Sequence, residues 1–305
     1  MDIRRIRHSL LILRYFIAFS IQFLALNSKG QELIVSFRIV DFEKRGIPYA
    51  SVSLGRHQIG TYSDSLGNVI FRFPKEKADS LHINAVGYQS KSIFYVDYPK
   101  IITLQEDNSQ IEAIEVKSKR TSFYRKRIGE FHKGFKKHQF TLNGVKGTQY
   151  AFYLANEEKK EGIIKTIYIN TKTEKINPTN KIRIRFYTQN QFTKAPDKDI
   201  TDKNIIYEVS KSGVLSINIE DYKIICPKDG FFVGIDLMGN EKSEIKSKVS
   251  PTIYGYSPRL KNDYSQGYWT SFMDNKKWFS SNKFKGRNTG SIVLYISADI
   301  KYDNE

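Results

Sequence analysis

The chain has 305 residues, 40% of them hydrophobic, enough for one or two buried cores. A single cysteine, Cys226, excludes an intrachain disulfide; in the apolar run "YKIIC" it reads as a small buried hydrophobe. The net charge of +17 favours anionic surfaces, yet the lysines are scattered, and a solvated Lys-rich surface is the simpler reading.

The first thirty residues read as a secretory signal peptide. Arg4, Arg5, Arg7 and Arg14 precede a charge-free run of twelve residues, Tyr15 to Leu26. Ser28 and Gly30 then offer a small-x-small cleavage site before Gln31. A bilayer span needs about 20 apolar residues, and Arg14 interrupts any longer run. Cleavage is therefore expected, leaving no integral membrane span. Residues 1–30 carry five Lys/Arg and one acidic residue, so their removal lowers the charge from +17 to +13. An exported protein seldom meets nucleic acid, which leaves envelope proteins, glycans or an anionic surface as partners.

From Gln31 the pattern alternates with period 2. Leu33, Val35, Phe37 and Ile39 share one face. In "IPYASVSL", Ala50, Val52 and Leu54 are expected inward, and Ser51 and Ser53 outward. "NVIFRF" and "LHINAV" continue the rhythm, with His82 and Asn84 facing away from the core, and "KSIFYV" and "IITL" are two short strands more. Short alternating runs separated by turn residues indicate an antiparallel sandwich. In "GTYSDSLGNVIFRF", Asp64 suits an Asx-turn and Gly67 the positive φ of a tight hairpin.

Three motifs in order carry a family resemblance. They are Gly46, Pro48, Ala50 and Val52; then Ser63, Asp64 and Gly67; then Gly87 and Tyr88. Residues 31–105 thereby resemble the carboxypeptidase regulatory-like domain, with Ser63 in place of the family's Thr and Val69 in place of its Phe. The resemblance implies a seven-stranded transthyretin-like sandwich without catalysis of its own, found in Gram-negative envelopes ahead of other β domains or of transporter plugs. The zinc carboxypeptidase it accompanies needs His-x-x-Glu. The five histidines are followed three residues on by Leu11, Gly60, Ala85, Phe135 and Thr141, so no such pair exists.

Residues 106–122 read as a linker with an edge strand at Ile111, Ile114 and Val116. The residues beyond are too few for a transporter barrel. "SFYRKRIGEFHKGFKKHQF" is the one helix candidate. Tyr124, Ile128, Phe131 and Phe135 recur at spacings of 4, 3 and 4, opposite a basic face, and Gly129 and Gly134 weaken it. From Gly147 at least eight further strands follow, and residues 123–305 are expected to form a jelly-roll-like sandwich with that one short helix. In "KIRIRFYTQ", Ile182, Ile184 and Phe186 face one way and Arg183, Arg185 and Tyr187 the other.

The chemistry-bearing candidates are few. Asp197, Asp199 and Asp202 in "DKDITD" form an oxygen-rich loop of the kind that binds calcium, but Lys198 and Lys203 interrupt its field and a solvated turn is favoured. No nucleophile elbow or phosphate loop occurs. The stretch 254–284, read as a long loop because it is rich in Gly, Ser and Asn and lacks clean alternation, gathers both tryptophans and several tyrosines. Tyr264, Tyr268, Trp269 and Trp278 are its candidate ligand-binding residues, for a sugar or a partner surface; the competing reading has the tryptophans plugging one end of the sandwich. The sequence thus reads as an all-β, non-catalytic envelope protein, periplasmic or outer-membrane associated, acting as a binding or scaffolding module. A glycan-binding protein is the alternative, and a hydrolase with dispersed residues the third reading.

Overall fold

The computed structural model describes residues 31–54, 57–94, 98–107, 122–130, 139–173, 180–239, 248–256, 267–273, 277–281 and 293–304. The expected signal peptide, the edge strand at 111–116 and Tyr264 lie outside the described residues.

The fold is all-β with β-sandwich character. Strands β1 (Glu32–Val40), β4 (Asn68–Pro74) and β7 (Ile101–Thr103) form one sheet, in the order β4-β1-β7. Strands β2 (Ser51–Leu54), β3 (Gly60–Tyr62), β5 (Ser80–Asn84) and β6 (Lys91–Phe94) form a second, in the order β3-β2-β5-β6. The period-2 residues meet between them: Val35, Phe37, Ile39, Val69, Phe71 and Phe73 pack against Val52, Leu54, Leu81 and Ile83 in one apolar cluster. Side chains of a strand alternate faces, so the two inward rows close a core while the outward rows remain available.

Gly46, Ser63, Asp64 and Gly67 knot this N-terminal part together. The Asp64 carboxylate accepts hydrogen bonds from the Leu66 and Asn68 amides, each at 2.8 Å, and from the Asn68 side chain at 3.0 Å. Burial alone would raise its pKa, but these donors and the nearby Arg38 charge outweigh it and hold the carboxyl below its usual range. Gly67 has φ +82°, and a Cβ there would lie 2.3 Å from the Ile39 carbonyl oxygen. At Gly46 a Cβ would meet the Leu66 carbonyl oxygen at 1.9 Å. The loop before β2 therefore crosses directly over the turn before β4. The Ser63 hydroxyl fastens the crossing: it accepts from the Ala50 amide and donates to the Ile47 carbonyl, both at 2.8 Å.

The C-terminal part holds two larger sheets. The seven-stranded one runs β13-β12-β17-β10-β19-β20 with β14 also on β12. Its strands are β10 (Thr148–Ala155), β12 (Asn180–Gln189), β13 (Pro196–Asp199), β14 (Ile205–Val209), β17 (Gly230–Gly239), β19 (Tyr268–Phe272) and β20 (Phe279–Ser280). The eight-stranded one is built from β8 (Phe123–Gly129), β9 (Gln139–Val145), β11 (Gly162–Lys172), β15 (Gly213–Asn218), β16 (Ile225–Cys226), β18 (Lys248–Tyr256), β21 (Val293–Leu294) and β22 (Ile296–Asp303). Phe152, Ile182, Ile184, Phe186, Val233 and Ile235 from the first face Ile164, Ile167, Ile217, Ile253, Ala298 and Ile300 from the second.

The helix expected from Ser122 onward is corrected at its start. Residues 123–129 are strand β8, paired antiparallel with β22 from Phe123↔Asp303 to Gly129↔Ser297. A spacing of four fits both periods, so Tyr124 and Ile128 share a face in a strand as they would in a helix. Gly129, a defect in the helix, has φ +90° and ends the strand, where a Cβ would sit 2.6 Å from the Ile296 carbonyl oxygen. Phe131 and Phe135 lie outside the described residues. Among the described residues the helical turns include the short 3-10 segments Lys75–Lys77 and Glu220–Tyr222, and no helix is long and apolar enough to cross a membrane.

Candidate functional site at the junction of the two parts

Ser51, Ser53 and Asn84 were expected to face solvent from β2 and β5, yet they are buried. Their outward alternation is as expected; what covers them is the far face of the seven-stranded sheet. That face is polar. Arg183 on β12 lies opposite Asp236 on β17, and Asp236 lies opposite Gln149 on β10. All three side chains are 1% exposed. The Gln149 side-chain amide donates to Asp236 Oδ1 at 2.9 Å, and an Arg183 nitrogen stands 3.6 Å from Asp236 Oδ2. Burial raises the Asp236 pKa despite the opposing charges of Arg183 and Arg185 and the Gln149 hydrogen bond. Buried charges persist only where other groups compensate them, so this row is a constructed feature of the junction.

Arg183 also ties the two parts together. Its guanidinium donates to the Tyr49 carbonyl and lies 5.4 Å from the Tyr62 ring centroid. The neighbouring Lys181 donates to the Tyr49 hydroxyl at 3.2 Å. Asn204 donates to the Pro48 carbonyl at 3.1 Å, and Asn84 to the Met273 carbonyl at 3.4 Å. Tyr49 and Met273 both hold left-handed backbone, with φ 57° and 48°. Bulky residues rarely adopt it, and surrounding contacts must enforce it. At each, the carbonyl accepts a hydrogen bond from the other part of the chain.

Beside this polar row lies a cavity of about 60 Å³, lined from both parts by residues that include Asn84 and Tyr88 on one side and Gln149, Arg185, Tyr187 and Trp278 on the other. Arg185, 8% exposed, is held in a fork by Asp199, with contacts of 3.1 and 2.6 Å. Burial alone would lower the Arg185 pKa, but the Asp199 charge and hydrogen bonds outweigh it and raise the value, so Arg185 stays charged. Tyr187 is 4% exposed and packs edge-on against Trp278, with ring centroids 5.4 Å apart. Trp269, on β19, joins the same aromatic group with Phe232 and Tyr153. The tryptophans thus sit on the outer face of the seven-stranded sheet and not in its sandwich core. Tyr268 alternates to the other face and packs on that core.

Of the three aspartates of the oxygen-rich stretch, Asp197 and Asp199 lie on β13 and both line the cavity, and Asp202 lies beyond that strand. Asp199 holds Arg185, and Asp202 pairs with Lys203 at 3.1 Å. Among the described residues no group of three or more His, Cys, Asp or Glu side chains is placed to hold a metal ion. Gly87, one of the motif residues, has φ +83° and brings its turn against Asp202, 3.4 Å from where its Cβ would be. Cys226 is fully buried, and burial pushes its thiol up to about 12. The Ser92 hydroxyl and His82 Nδ1 lie 2.7 Å apart between β5 and β6, with His82 half-buried. A nucleophile–base pair needs a third group to orient the imidazole; among the described residues none is hydrogen-bonded to it.

The junction itself was missed in the sequence, although one signal existed. The run "FFVGIDLMG" of β17 is apolar at both parities, and every residue from Gly230 to Gly239 is buried. Such a run marks a strand covered on both faces.

No family model matches the chain, and no curated protein matches it. A solved structure of infectious bursal disease virus, Gx strain, is similar over 88% of this chain at 9% identity, with a TM-score of 0.23. The chain spans 64% of the length of that protein. A likeness this slight carries no argument about fold or function.

Proposed function

We propose that the chain is an exported, non-catalytic binding or scaffolding module of the Gram-negative envelope, and that its ligand or partner is held at the junction cavity. In this reading residues 31–105 are a carboxypeptidase regulatory-like, transthyretin-like sandwich and residues 123–305 a jelly-roll-like one. The convergence of Gly46, Ser63, Asp64 and Gly67 on one crossing supports the first assignment. The basic and apolar start of the chain supports export to the periplasm or outer membrane.

The observation that carries the functional reading is the cavity: aromatic rings and hydrogen-bonding groups from two separately cored parts converge on it. Ligand sites favour such junctions, where a few placed polar groups sit among apolar walls. Glycan binding through the stretch 254–284 is the second reading, favoured by Trp278 at the cavity and Trp269 beside it. Affinity capture from envelope extract tests the module reading. The whole chain should retain a defined glycan or protein, and Trp278→Ala should lose it with little change in melting temperature. Retention of nothing, or retention indifferent to Trp278, contradicts the reading.

A further inference from the structure

The overall charge of +17 would select an anionic ligand. The cavity is built the other way. Asp107, Asp197 and Asp199 line it against one guanidinium, Arg185, which Asp199 already holds. Asp197 stands exposed and makes no ion pair among the described residues. Among the described residues, Lys91, Lys198 and Lys277 are exposed neighbours in sequence of lining residues, outside the lining itself, and Lys203 pairs with Asp202. An entering carboxylate or sulfate would meet carboxylates and a guanidinium that is already engaged.

The remaining lining suits hydroxyl groups. Asn84, Ser90 and Gln149 bring neutral donors and acceptors, and Trp278 and Tyr88 are partly exposed rings. Tyr187 lines the cavity at 4% exposure, and its hydroxyl, closed off from solvent, has no hydrogen-bond partner in the protein among the described residues. Buried hydroxyls are normally satisfied by protein, water or ligand. A space of about 60 Å³ has room for a few waters, or for the hydroxyl-bearing edge of a ring whose apolar face rests on an indole outside.

Resting on the binding-module reading, we propose that the junction cavity recognises an uncharged sugar, seating the polar edge of one terminal ring against Asn84, Gln149 and Asp197 with the ring face on Trp278, and that it rejects anionic glycans. Because both parts of the chain line the cavity, a bound sugar also clamps them together.

The test is titration of the whole chain with three probes: cellotetraose, chitotetraose and tetragalacturonate. At least one neutral tetrasaccharide should bind, with saturation transfer in NMR concentrated on one terminal ring. Trp278→Ala should weaken it about tenfold. Asp197→Lys, at an exposed position, should shift the preference toward tetragalacturonate. The proposal is overturned if tetragalacturonate binds the natural chain as tightly as either neutral sugar. It is equally overturned if neither neutral sugar binds, or if neutral binding ignores Trp278→Ala. Capture of a Trp278-dependent protein partner with no sugar binding would reject the sugar while leaving the module; capture of nothing would reject both.

Discussion

Replacing Arg183 by Met removes the charge that binds the two parts and leaves Asp236 behind, 1% exposed. Removing one partner of a buried pair costs about 3–5 kcal/mol, because the survivor keeps its desolvation penalty without its counter-charge. Arg185 still acts on Asp236 and Gln149 still donates to it, which places Arg183→Met near the lower end, about 3 kcal/mol. Asp236→Asn in the same background removes the orphaned charge and keeps an acceptor for Gln149. The double variant should therefore recover about 2 kcal/mol, a coupling typical of contacting residues. Guanidinium denaturation of all four chains measures it, with the slopes checked for a second transition should the parts unfold separately. The sign with pH follows from the raised Asp236 pKa. A carboxyl raised above its unfolded value of about 3.9 contributes fully below that value and loses the contribution as pH rises through its folded pKa. The Arg183→Met deficit should accordingly shrink on acidification. A single variant within about 1 kcal/mol of the natural chain, or purely additive effects in the double, would refute a constructed ionic junction.

Asp64→Ala should cost about 1 kcal/mol, as loss of a side-chain cap does. Gly67→Ala should cost more, since φ +82° and a contact of 2.3 Å with the Ile39 carbonyl both oppose a Cβ; comparison of melting temperatures decides the order. Acid should weaken the fold through the depressed carboxyls. Hydrogen bonds from Arg127, opposed by burial and helped by Tyr168, lower the Asp299 pKa, and that contribution is present above about 3.9 and lost as pH falls through the folded value. Asp299→Asn should flatten the acid limb of the stability curve. Cys226, with its thiol pushed up to about 12, should resist alkylation in the native chain and react at the rate of unfolding; prompt native labelling would contradict its burial.

Strand rhythm was legible wherever one face is core. Val35, Phe37 and Ile39, or Ile182, Ile184 and Phe186, declare themselves by period 2 and are buried as expected. The turn at Asp64 and Gly67 was legible because its chemistry is local. Tyr124 and Ile128 misled because a spacing of four is common to strand and helix. The junction was illegible for a different reason. Ser51, Ser53, Arg183 and Asp236 look like solvent-facing residues, and only the pairing of two remote surfaces buries them. Alternation reports which residues share a face and is silent on what covers the second one. Trp278 was found as an aromatic in a polar stretch, but its place at the cavity depends on Tyr88 and Asn84, far away in sequence.

Hydrogen–deuterium exchange of the whole chain, with and without the molecule that affinity capture retains, tests the central claim most directly. The account predicts added protection in two separated stretches at once, around Asn84–Ser90 and around Arg185–Tyr187, with Trp278→Ala abolishing both. Protection confined to one part of the chain, or located on the outer face of the eight-stranded sheet, would contradict a binding site at the junction.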